Sequence, residues 1–117
     1  MIPYWMSRTQ LMLGDESMEK IMRKNVLVVG LGGVGAICAE MIVRAGVGSI
    51  TIVDNDKVDA SNINRQIQAL QSSVNLPKAQ VLSKRLLDIN PSLNLTVHEI
   101  YIKEEITTQL LESAKWD

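Results

Sequence analysis

Gly30, Gly32 and Gly35 fit a G-x-G-x-x-G spacing, with Gly33 as a fourth glycine inside it. The first glycine of such a run allows a tight turn, the second lets the backbone approach a phosphate, and the third lets the following helix pack close to the strands. A helix opening at that point aims its unpaired N–H groups and the positive end of its dipole at the anion. Asp54 follows about 20 residues later, the distance at which an acid accepts hydrogen bonds from a ribose. Arg65 and Lys78 add two cations further on. Lys78 falls in the first turn of a predicted helix, where the dipole disfavours a cation by several tenths of a kcal/mol, on the order of a weak surface interaction, unless an anion is bound there. These residue types and spacings point to nucleotide binding. They do not choose the nucleotide, because NAD, FAD and ATP sites all use such a turn.

The elements that must carry these residues are legible on either side. Val26 to Val29 form an apolar run too short for a helix, as in a parallel strand covered on both faces. A helix follows from about Val34 to Ala45, stopped by Gly46 and Gly48, and Ile50 to Val53 make a second buried strand with Asp54 at its carboxyl end. The stretch DNDKVDASNINRQIQAL, residues 54–70, is rich in Asp, Asn and Ser, which satisfy backbone groups locally. It therefore predicts an irregular loop or single helical turns. Its place is beside the glycine turn, where open α/β sheets bind ligands, so Arg65 carries more weight than a solvated surface arginine.

Pro77 opens the next helix, with Val81, Leu82, Leu86 and Ile89 inward and Gln80, Ser83, Lys84 and Asp88 toward water. Leu93 to Ile100 alternates as a third strand, and His98 on it is assigned no role. Glu104 to Ala114 reads as a second crossover helix with Ile106, Leu110 and Leu111 inward, and Trp116-Asp117 as the start of another strand. Ahead of the first strand, Ser7 to Met12 is an arm without a core signature. A short amphipathic helix follows, with Asp15 and Glu16 at its start and Arg23 and Lys24 at its end. The expected organisation is an arm and helix over residues 1–24, then a nucleotide-binding domain over residues 25–117. That domain is α/β and Rossmann-like, the first half of a doubly wound, mostly parallel sheet in the order third, second, first strand.

A length of 117 residues allows one core, and 46% hydrophobic with 21% charged residues is ordinary for a globular chain. A net charge of −1 gives no global attraction to nucleic acid or membrane. Cys38, the only cysteine, falls inside the predicted helix and reads as a small core residue in a reducing cytoplasm. One Cys and one His do not make a structural zinc site. The opening MIPYWM has no basic n-region, and no apolar run approaches membrane-spanning length. The chain has no G-x-x-x-x-G-K-[ST] motif.

Taken together, GLGGVG at Gly30–Gly35, Asp54 and Asp56, NINRQ at Asn62–Gln66 and Pro77-Lys78 resemble the ThiF superfamily of ubiquitin-activating-enzyme-like adenylating enzymes. SRTQLMLG at Ser7, VDNDKV at Val53 and NINRQIQAL at Asn62 are most similar to its tRNA threonylcarbamoyladenosine dehydratase branch. The sulfur-carrier branch more often reads NLQRQ. One departure stands out: Gln68 occupies a position where the dehydratases usually have His.

The resemblance implies an enzyme that adenylates a carboxylate with ATP and releases pyrophosphate. In the dehydratase branch the carboxylate belongs to threonylcarbamoyladenosine at tRNA position 37, and an internal attack then closes a ring. In the alternative branch it is the C-terminus of a ubiquitin-like sulfur carrier. By position, Gly30, Gly32, Gly33 and Gly35 line the adenosine and phosphates, and Asp54, with Asp56 beside it, holds the ribose. Arg65 and Lys78 hold the triphosphate as the catalytic cations, Asn62 and Gln66 support the pocket, and Arg8 reaches the ATP of a partner subunit in a homodimer. The family's Mg²⁺-binding aspartate and its substrate-recognition half fall after Asp117, which makes this an N-terminal fragment by resemblance. Two other readings are an NAD-dependent oxidoreductase, which shares the glycine turn and Asp54 but gives Arg65 and Lys78 no reason to converge, and a non-catalytic dimerisation module.

Overall fold

The computed structural model describes residues 1–117. Three strands, β1 (Asn25–Val29), β2 (Ser49–Val53) and β3 (Asn94–His98), form one parallel sheet in the order β1-β2-β3. That is the predicted order. The register brings Val26, Ile50 and Leu95 into one row and Val28, Ile52 and Val97 into another. Side chains alternate across a strand, so these six residues share one face of the sheet.

That face is covered by the two crossover helices, α3 (Gly35–Arg44) and α4 (Lys78–Ile89). Both connections advance across the sheet in one direction, and right-handed crossovers then put both helices on the same side. The core joins Ala36, Ala39 and Val43 of α3 to Ile50 and Ile52 of β2 and to Ala79, Leu82 and Leu86 of α4. Val81 and Ile89, expected inward, are only half-buried. Each fully buried Leu, Ile or Val contributes roughly 1.5–3 kcal/mol.

Two expectations about side-chain direction are corrected. Cys38 is exposed, because α3 is apolar almost all round and turns Ala36, Ala39, Glu40 and Val43 inward instead. In helix α5 (Glu104–Glu112), Leu110 is buried but Leu111 points out. The arm is helical: Tyr4–Met6 is a 3₁₀ turn leading into α1 (Ser7–Leu13), which buries no residue, and α2 (Asp15–Met22) follows. Met6 and Met18 are buried against Gly46, where a Cβ would lie 3.1 Å from Met6 Sδ and 3.3 Å from Met18 Cε. A Cβ on Gly48 would lie 2.0 Å from the Met22 carbonyl oxygen. The glycines that stop α3 therefore also form the seat of the N-terminal helices.

At the other end of the chain, the Asp117 N–H donates to the Asn25 carbonyl at 2.8 Å, and the Asn25 N–H donates to Asp117 Oδ2 at 2.9 Å. Asp117 thus lies along the outer edge of β1, as expected for the start of a further strand. No helix is long and apolar enough to cross a membrane.

Candidate nucleotide site

The site is built at the carboxyl ends of the strands, starting from the turn after β1. Gly30 takes φ +86°, a conformation that favours glycine, and its N–H donates to the Val53 carbonyl at 2.8 Å. Gly35 serves close approach: a Cβ there would lie 1.7 Å from the Gly30 carbonyl oxygen. Any side chain at 35 would force the first turn of α3 away from the strand.

Asp54 closes this turn onto β2. Its Oδ2 accepts the Leu31 N–H and its Oδ1 accepts the Asp56 N–H, both at 2.7 Å. The carboxylate is thus oriented by two backbone donors, and each oxygen retains lone-pair capacity for a ribose hydroxyl. Beside it, a cleft of about 240 Å³ opens between Gly30, Asp54 and Asp56 on one side and Ile100, Tyr101 and Ile102 on the other. Sequence reading missed this last wall. An apolar triplet at the carboxyl end of a third parallel strand is the signal that would have found it, because ligands of open sheets sit there.

The loop between β2 and α4 is braced throughout. Asn62 Oδ1 accepts the Asp59 N–H at 2.9 Å, while Asp59 Oδ1 accepts the Ser61 Oγ–H at 2.6 Å and the Ser61 N–H at 2.8 Å. Those two bonds, with Lys78 nearby, hold the Asp59 carboxyl below the usual carboxylate range. Asn62 is buried, its Oδ1 accepts from the backbone, and its amide NH₂ is the donor it can offer a ligand. The 3₁₀ turn Ala60–Asn62 matches the expectation of single helical turns, and a second one, Gln71–Ser73, lies beyond the stretch for which they were expected.

This loop lays Arg65 and Gln66 against the glycines. A Cβ built on Gly33 would lie 3.6 Å from the Arg65 carbonyl oxygen and 3.8 Å from Arg65 Cγ, and one on Gly32 would lie 4.0 Å from Gln66 Nε2. The Arg65 guanidinium uses Nη1 to bond the Ser61 carbonyl at 2.9 Å and Asn64 Oδ1 at 3.0 Å, which leaves further N–H donors of its five. Gln66 Oε1 is buried without a partner.

Lys78 opens α4, its backbone N–H donating to the Asp56 carbonyl at 2.9 Å. Its side chain is only 9% exposed, so it does not bend away into solvent. The nearest carboxylate oxygen, Asp56 Oδ2, is 3.9 Å from Nζ, beyond hydrogen-bond distance. A largely buried ammonium at a helix N-terminus with a loose counterion favours an incoming anion on both counts.

Arg8 is the residue the structure does not bring in. It sits in an open cavity of about 570 Å³ with Tyr4, Ser7 and Asp15, two residues past Met6, which packs on Gly46. That is the amino end of β2, a strand-length of about 16 Å from the glycine turn. This cavity exceeds the cleft at Asp54 in volume but contains none of the other site residues. No group of three or more His, Cys, Asp or Glu side chains is gathered at metal-binding distances.

A profile of the ThiF family matches residues 6–117. The tRNA threonylcarbamoyladenosine dehydratase of Bacillus subtilis is 41% identical over 106 residues, which are 91% of this chain and 42% of that protein. The sulfur carrier protein ThiS adenylyltransferase of Escherichia coli is 34% identical over 108 residues, 90% of this chain and 41% of that protein. Among solved structures, the E. coli tRNA N6-threonylcarbamoyladenosine dehydratase in complex with ATP superposes with a TM-score of 0.90 at 35% identity, covering 94% of this chain and 45% of that one. The chain therefore spans about two-fifths of the length of the curated relatives it matches. On the family profile, and on a fold and glycine turn that agree with it, this chain belongs to the ThiF family.

Proposed function

We propose that residues 1–117 form the ATP-binding part of an enzyme that adenylates a carboxylate, and that the carboxylate is that of threonylcarbamoyladenosine in tRNA. The observation that carries the reading is the meeting, at one end of the sheet, of the glycine turn, the oriented Asp54 carboxylate, Arg65 packed on Gly33, and the loosely paired Lys78 ammonium. An NAD site needs the first two and has no use for two cations converging on a terminal phosphate.

In this reading the base and ribose occupy the cleft between Asp54 and Ile100–Ile102, and the triphosphate crosses the glycine turn toward Arg65 and Lys78. A substrate carboxylate oxygen attacks the α-phosphorus, and the bond to the leaving pyrophosphate breaks. Negative charge grows on the phosphoryl oxygens, where the fixed cations and helix-end N–H groups stabilise it. The nucleophile is already an anion, so no general base is needed. In the second step an internal oxygen displaces AMP and closes the ring. The Mg²⁺ that accompanies a triphosphate would need only one or two protein carboxylates beside the phosphates, and by the family resemblance we assign that role to an aspartate after Asp117.

Arg8 acts on a partner's site in this account, because its own cavity holds none of the other site residues. A homodimer interface has apolar surface to use: Val34, just before α3, and Ile37 and Met41 along it are exposed, as are Leu11 and Met12 on α1. The setting we assign is cytoplasmic. The second reading, activation of a sulfur-carrier C-terminus, is favoured by the 34% identity to the ThiS-activating enzyme. Pyrophosphate release by the full-length protein separates the two: stimulation by threonylcarbamoyladenosine-bearing tRNA is expected, and stimulation by a carrier protein alone would reverse the choice. Tighter binding of NAD than of ATP would defeat both.

A further inference from the structure

Leu31, the second residue of the glycine turn, is gripped from both sides. Its N–H donates to Asp54 Oδ2 at 2.7 Å, and its carbonyl accepts from Gln68 Nε2 at 2.6 Å. Its side chain is fully buried in the core, so the peptide cannot shift without breaking one of these bonds. Gln68 is itself fixed. It is 1% exposed, and its own carbonyl accepts from Ser73 Oγ at 2.8 Å. A buried glutamine here carries a cost, since its Oε1 has no partner and an apolar residue would avoid that orphan. What the amide supplies in return is a donor aimed at the glycine turn.

Gln68 also belongs to the stretch that carries the first cation. Successive turns, with Gln66 N–H donating to the Asn62 carbonyl and Ala69 N–H to the Gln66 carbonyl, make residues 62–69 a single stiff segment holding Arg65. The Gln68–Leu31 bond is thus a joint between the two halves of the phosphate site. We propose that Gln68 is a positioning residue for nucleotide binding: acting through Leu31, it sets the spacing between the glycine turn and the cation-bearing loop. The proposal rests on the ATP reading above. Gln68 touches no phosphate. Its loss weakens ligands that bridge both halves and spares those held at the Asp54 end alone.

Titration calorimetry of the full-length protein with ATP and with adenosine, alongside thermal unfolding, tests this on Gln68→Met, which keeps the length without the donor, and Gln68→His, whose Nε2–H falls near the amide nitrogen. Gln68→Met should weaken ATP binding about tenfold, the equivalent of one lost hydrogen bond, and leave adenosine within about twofold. Gln68→His should recover most of the ATP affinity. If Gln68→Met does not fold, Gln68→Leu takes its place. Unchanged ATP affinity in a folded variant, equal losses for ATP and adenosine, or no recovery with His each overturns the positioning role. A wild-type protein that binds adenosine but not ATP fails at the ATP reading instead, and the joint proposal falls with it.

Discussion

Glu40 is a buried carboxylate on the core face of α3, and the fold should depend on its charge. Its side chain is 2% exposed and is met by Arg85 from α4, with Nε 2.5 Å from Oε2 and Nη2 3.2 Å from Oε1, and by Arg44 Nε at 3.0 Å. Glu40→Gln keeps the size of the side chain but removes the charge that two guanidiniums address and turns one acceptor oxygen into an NH₂ donor facing an arginine N–H. Breaking a fully buried pair costs roughly 3–5 kcal/mol. Here the arginines are 41% and 50% exposed and recover hydration, so about 2 kcal/mol is the reasonable figure. The bond from Arg85 holds the Glu40 carboxyl below its ordinary range against the opposing effect of burial, with Arg44 assisting. A group whose folded pKa is depressed contributes stability above its unfolded pKa and loses it as pH falls through the folded one. Urea unfolding at pH 7 should therefore show the full difference between wild type and Glu40→Gln, and the difference should shrink steadily below about pH 4.5, the range in which an unfolded Glu titrates. A variant as stable as wild type at pH 7, or a gap constant with pH, would refute the argument. Replacing Glu40 and Arg85 together by Met should cost much less than Glu40→Gln, because the buried charge is gone and the one guanidinium left without its partner, Arg44, is half exposed.

Gly35→Ala should abolish ATP binding and destabilise by about 3 kcal/mol or more, since its Cβ meets backbone at 1.7 Å, whereas Gly33→Ala, with contacts no nearer than 3.6 Å, should unfold like wild type; equal melting temperatures for the two would sink the distinction. Asp54→Ala should weaken ATP, AMP and adenosine, because it removes the ribose acceptor that all three share, and a loss confined to ATP in calorimetry would contradict that. Produced alone, residues 1–117 should self-associate. Asn25 bonds to Asp117 and Gly30 to β2, so by alternation the N–H and C=O groups of Leu27 and Val29 face the free edge of β1. A monomer in sedimentation runs at high concentration would count against this.

The glycine turn, the strand order and the two cations were readable because each is signalled locally: by spacing, by short apolar runs, and by a lysine placed against a helix dipole. Side-chain direction on α3 was not. Ala36, Ile37, Cys38, Ala39, Met41, Ile42 and Val43 make the helix apolar nearly all round, so periodicity alone does not select the buried face. The selection comes from Arg85, 45 positions beyond Glu40, which allows an acid to sit inward and leaves Cys38 outside. Ile100–Ile102 went unread because they line the site only once β3 is placed beside Asp54, and Gln68 because its partner lies 37 positions back. Arg8 could be named by resemblance, but its place is a matter of how Met6 and α2, on either side of α1, pack on Gly46 and Gly48.

The central claim is that Arg65 and Lys78 together hold a triphosphate, and the ATP-to-AMP affinity ratio of the full-length protein measures it most directly. Arg65→Ala and Lys78→Met, the latter keeping the buried stem, should each weaken ATP by at least about tenfold, since a charge-assisted hydrogen bond to phosphate contributes roughly 1.5–3 kcal/mol, and should weaken AMP less. If both variants bind ATP and form the adenylate as wild type does, the phosphate assignment is wrong and the adenylation reading loses its chemical support.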